Sequence, residues 1–210
     1  MASVKICGIR TPEALNTARK CGAAYAGFVF YPPSPRALNL EQARDVIGQA
    51  GAGIKHVALL VDPDDRILDG VARLSLDMIQ LHGNESPARV MEIRSHTDLP
   101  VMKSIPIARP EDTAAIAMYE QVADWILCDA KAQGGADLPG GNGRTFDWLV
   151  LKNYKFTRPW MLSGGLHTGN VREALEILTP DAVDVSSGVE SSPGVKDLTK
   201  IRDFITAVKS

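Results

Sequence analysis

Eight short apolar runs, each followed by an amphipathic stretch, predict a single (β/α)8 barrel spanning residues 1–210. Two further observations agree. Several runs are apolar on successive residues, as a strand buried on both faces of a parallel sheet requires. Glycine-containing turns follow the last two runs, where barrels of this kind often bind phosphate. An open doubly wound sheet is the rival, but it would not normally need eight such units. No linker, low-complexity stretch or charge block divides the chain.

The runs are VKIC (4–7), YAGFVF (25–30), KHVALLV (55–61), LDMIQLH (76–82), LPVMKSI (99–105), ADWILCD (123–129), PWMLSG (159–164) and AVDVSSG (182–188). After the first, Thr11 is placed to cap a helix, Pro12 fits its first turn and Gly22 ends it. Further helices are expected around 40–50, 64–74, 85–95, 110–121, 144–152 and 169–178. In the final segment Val195, Leu198, Ile201, Ile205 and Val208 recur three or four apart, one apolar stripe.

Composition narrows the function. A formal net charge of −2 gives no electrostatic reason to expect nucleic acid or an anionic membrane as partner. No apolar run approaches the roughly 20 residues that span a bilayer, and the N-terminus lacks the pattern of a secretory signal. Cys7, Cys21 and Cys128 are odd in number and lack metal-ligand spacing, which argues against a disulfide framework or a zinc site and for a reducing cytosol. A small molecule is the expected partner. Nothing in the sequence demands an interface, so a monomer is expected.

In a barrel, chemistry sits where the strands end. SGGL (163–166) and SSGVE (186–190) offer backbone N–H groups to an anion through Gly164, Gly165, Ser187 and Gly188. Either turn alone is explained equally well as a tight connection; both together, after the seventh and eighth strands, favour phosphate. Arg36 lies in YPPSPR, a loop stiffened by three prolines, where a guanidinium can hold a carboxylate bidentately or lie exposed on the surface. Asp129 ends an apolar strand, and partial desolvation there favours the protonated form that a general acid needs. Cys128, next to it, must then face the helices. The glycine-rich stretch KAQGGADLPGGNGRTFDW that follows has the length of a lid or binding loop. His82 is a proton shuttle, a ligand contact or a turn histidine, with Gln80 on the same side of its strand. Cys7 alone reads as a buried hydrophobe. Its place at the end of the first strand, with Lys5 on the same face to lower its pKa, makes a thiolate base or nucleophile available.

Taken together, VKICGIR, the SPR loop, QLHG, LCDA with GGNGRTFDW, SGGL and DVSSGVE resemble the phosphoribosylanthranilate isomerases of tryptophan biosynthesis, from the first strand to the last helix. The resemblance implies a cofactor-free, metal-free Amadori rearrangement in which Asp129 is the general acid and Cys7 the general base. It implies that Arg36 holds the anthranilate carboxylate, that Lys5, Gln80, His82 and Asp184 line the substrate site, and that the two glycine turns bind phosphate. Two other readings stand beside it: the aminoaldose–ketose isomerase of histidine biosynthesis, which typically has an aspartate where this chain has Cys7, and a phosphometabolite-binding barrel without catalysis.

Overall fold

The computed structural model describes residues 1–131 and 145–210. Strands β1 (Ser3–Cys7), β2 (Tyr25–Val29), β3 (Lys55–Leu60), β4 (Met78–Leu81), β5 (Val101–Ile107), β6 (Trp125–Ala130), β7 (Trp160–Leu162) and β8 (Ala182–Val185) pair in chain order, all parallel. Strand β8 pairs back onto β1, with Lys5 opposite Asp184, and the barrel is closed. Around it run α1 (Pro12–Cys21), α2 (Leu40–Gly48), α3 (Asp65–Val71), α4 (Pro87–Thr97), α5 (Thr113–Tyr119), α6 (Val171–Ile177) and α7 (Leu198–Lys209).

Period-2 alternation sorts each strand into two layers. Val4 and Ile6 point outward and pack with Leu15 and Ala18 of α1 in the sleeve between strands and helices. Cys128 lies in the same sleeve, as its neighbour's inward orientation requires. Inside the barrel, Tyr25, Val57, Met78, Met102, Leu127, Met161 and Ala182 form an apolar floor. The floor closes the lower end, so inward residues two positions further along, such as Gln80, Asp129, Ser163 and Asp184, form the upper layer and face the mouth.

Helix starts follow local chemistry. The Thr11 side chain accepts from the Ala14 N–H, and Gly22 ends α1 in the left-handed region at φ +86°. Asn39 and Gln42 cap one another's backbone at the start of α2. Ser86 caps α4 ahead of Pro87.

Two expected elements differ. Between β6 and β7 the described residues hold a short 3-10 turn, Trp148–Leu151, in place of a helix over 144–152. Trp148 and Leu151, three apart, are its buried pair, which suits three residues per turn. Val195 is not on the α7 stripe. It belongs to a two-stranded hairpin, β9 (Glu190–Ser192) with β10 (Val195–Lys196), and is half exposed. Asp197 accepts from the Thr199 and Lys200 N–H groups, so the helix begins only after it.

Candidate active site

The upper layer of the barrel is polar where the floor is apolar. Lys5 is fully buried, and its ammonium donates to Gln80 Oε1 at 2.7 Å and to Asp184 Oδ1 at 3.0 Å. Ser163 Oγ donates to the other Asp184 oxygen at 3.3 Å. Gln80 Nε2 lies 2.9 Å from His82 Nδ1, and His82 Nε2 lies 3.2 Å from Asp129 Oδ2. The Ala130 N–H donates to Asp129 Oδ1 at 2.9 Å. One continuous chain, Asp184–Lys5–Gln80–His82–Asp129, therefore crosses the barrel from β8 and β1 through β4 to β6.

Cys7 ends β1 on the Lys5 face and is buried. Its β2 partner is Gly27, where a side-chain carbon would come within 2.9 Å of the thiol sulfur. The glycine leaves the sulfur its space. Burial pushes the Cys7 thiol up; Lys5 pulls it down, as the sequence predicts, but with Asp184 adding its own repulsion the net direction is upward. The Lys5 ammonium is raised: burial alone would lower it, and Asp184 together with Cys7 outweighs burial.

Arg36 is buried rather than a surface arginine, and it already has a protein carboxylate. Its Nε and Nη2 donate to the two oxygens of Glu190 at 2.8 and 2.9 Å, a bidentate pair that fixes the guanidinium plane. Gly8, at φ +78°, clears the path of that side chain, since a carbon there would press on Arg36 Cδ. Lys196 Nζ, buried on β10, donates to Glu190 Oε1 at 2.8 Å and to the Ser186 carbonyl at 2.9 Å. Burial lowers the Lys196 amine despite Glu190. Glu190 is held below its ordinary range because Arg36 and Lys196 outweigh its burial. Two cations against one carboxylate leave this side of the mouth with surplus positive charge.

The two glycine turns lie side by side. Gly164 and Gly165 have φ +92° and +60°. Gly188 sits in a 3-10 turn, Ser187–Val189, and its missing side chain admits the Leu166 carbonyl and His167 of the neighbouring loop. Among the described residues the amides of Gly164 and Gly165 donate to no backbone carbonyl. No group of three or more His, Cys, Asp or Glu side chains that could hold a metal occurs among the described residues. Most of the glycine-rich loop expected as a lid, including Asn142, lies outside them.

Residues 4–207 match the family model described as N-(5'phosphoribosyl)anthranilate (PRA) isomerase. The chain belongs to that family. The PRA isomerase of Paracoccus denitrificans is 50% identical over 204 residues, 97% of this chain and 95% of its own. That of Bradyrhizobium diazoefficiens is 50% identical over 208 residues, 99% of this chain and 93% of its own. The crystal structure of phosphoribosyl anthranilate isomerase from Thermotoga maritima superposes with a TM-score of 0.90 at 36% identity, covering 100% of this chain and 99% of that one.

Sequence reasoning did not assign Glu190, Lys196 or Ser163 to this site. Glu190 was the legible one: a carboxylate two residues past a turn expected to bind an anion is out of place unless a cation claims it. Lys196 reaches the site only because the β9–β10 hairpin folds back, and no spacing rule announces that.

Proposed function

We propose that this chain converts N-(5-phosphoribosyl)anthranilate to 1-(2-carboxyphenylamino)-1-deoxyribulose 5-phosphate by an Amadori rearrangement, in tryptophan biosynthesis. Family membership supports the reaction. A structure of a related PRA isomerase, 34% identical with a TM-score of 0.87, is described as a complex with the reduced form of that product. The single observation that carries the mechanism is that Cys7 and Asp129 lie near the ends of their strands on the inner face of one barrel mouth, with the polar chain from Lys5, on the Cys7 face, running across to Asp129.

In this mechanism Asp129 gives a proton to the furanose ring oxygen, the ring C–O bond breaks, and a Schiff base forms at C1′. Cys7, as thiolate, takes the C2′ proton, and the electron pair moves to give an enolamine. The enolamine tautomerises to the ketone. These steps move protons and electron pairs within one substrate, so the groups named are sufficient in kind. Arg36 holds the anthranilate carboxylate with the guanidinium nitrogen that Glu190 leaves free, Lys5 and Asp184 keep the upper layer charged and ordered, and the turns at Gly164, Gly165, Ser187 and Gly188 bind the phosphate. Three free cysteines fit a reducing cytosol.

The test is the loss of phosphoribosylanthranilate fluorescence with purified protein. Turnover is expected. No turnover there, with turnover of the histidine-pathway aminoaldose, would transfer the assignment to that reaction; no turnover of either would favour a binding barrel.

A further inference from the structure

We infer that Gln80 is a positioning residue that fixes the tautomer of His82 and thereby directs the proton on Asp129 toward substrate. The argument needs only donor and acceptor chemistry. A lysine ammonium has donors and no acceptor, so the Gln80 atom 2.7 Å from Lys5 Nζ is the carbonyl oxygen. That fixes the amide, and Nε2, a donor only, is the atom 2.9 Å from His82 Nδ1. Nδ1 must then accept. His82 carries its proton on Nε2, and it donates that proton to Asp129 Oδ2 at 3.2 Å.

The consequence lies on Asp129. Each carboxyl oxygen has two lone pairs. The His82 Nε2–H occupies one on Oδ2, and the Ala130 N–H occupies one on Oδ1. When Asp129 is protonated, its proton must sit on a lone pair that neither of these fills, where a substrate atom can take it. With the other tautomer, Nε2 would be an acceptor. The acid proton would then be held in an O–H···N bond to the imidazole and withheld from the ring oxygen. Lys5 acts at the far end of this chain: by claiming the amide oxygen, it denies His82 a proton on Nδ1.

This inference rests on Asp129 being the acid of the proposed isomerase, but its spectroscopic test does not. The experiment is 15N NMR of the histidine imidazoles in the full-length protein at neutral pH, with His82 identified by the signals lost in His82→Asn. The wild-type ring should show an unprotonated Nδ1 and a protonated Nε2. In Gln80→Glu the new carboxylate accepts from Nδ1, so the ring proton should move there from Nε2. The same variant should lose about 100-fold in kcat, the lower end of what a positioned acid contributes, with KM within about threefold because both amide atoms of Gln80 are engaged by Lys5 and His82. A proton on Nδ1 in the wild-type protein would overturn the inference without any variant. Full kcat in Gln80→Glu with Nδ1 alone protonated would overturn it as well, and so would a 100-fold loss with both nitrogens protonated, because Nε2 would then still donate to Asp129. Wild-type turnover is read separately, so failure of the isomerase reading is told apart from failure of the tautomer.

Discussion

At the scale of single residues, the sequence carried the positions of Cys7, Asp129, Arg36 and the two glycine turns because strand ends and period-2 alternation are local properties. It did not carry the state of those residues. Lys5 on the face of Cys7 predicts a lowered thiol, yet the thiol is raised, because burial of the sulfur exceeds what Lys5, Lys196 and Arg36 supply against Asp184. Burial is a property of the closed barrel and no short stretch displays it. The sign of the pH dependence follows. Only the thiolate is a base, and the folded protein holds the thiol above its ordinary value of 9.0, so thiolate is scarce at neutrality. The ultraviolet absorbance of thiolate that Cys7→Ala removes should therefore be nearly absent at neutral pH and grow only above pH 9. Full thiolate absorbance from Cys7 at neutral pH would contradict the upward direction.

At the scale of elements, the first helix was legible because Thr11, Pro12 and Gly22 each specify one backbone conformation. The segments that differ lacked such punctuation or had it in an unexpected place: Asp197, not Val195, opens α7. Connections between elements were the least legible. The Lys103 ammonium on β5 pairs with Glu85 at 3.0 Å and donates to the Gly83 carbonyl at 2.7 Å. Glu85 in turn accepts from the Asp62 and Gly83 N–H groups. This ion pair is almost wholly buried and ties the segments just after β3 and β4 to β5. Lys103→Ala leaves a buried carboxylate without its cation, a loss of about 3–5 kcal/mol. The midpoint of urea unfolding should fall accordingly; an unchanged midpoint would show that Glu85 finds another partner.

At the scale of the whole molecule, barrel closure and strand order were readable from eight repeated units, since each unit buries its faces only against the next. What closure adds is distance-independent of sequence: Lys5 and Asp184, 179 residues apart, meet because β1 and β8 are neighbours. The exposed large apolar side chains among the described residues are Met1, ahead of β1, and Met91, Met118, Leu149 and Val195, each on a different element. We propose a monomer: sedimentation equilibrium should give a mass near 22.6 kDa, and twice that mass would contradict it. The central claim is that two distant strand ends, β1 and β6, supply the base and the acid of one reaction. The most direct measurement is kcat for Cys7→Ala and for Asp129→Asn on phosphoribosylanthranilate, with product affinity measured beside it. Each variant should lose about 100-fold or more in kcat while still binding product; near wild-type kcat in either one would contradict the account.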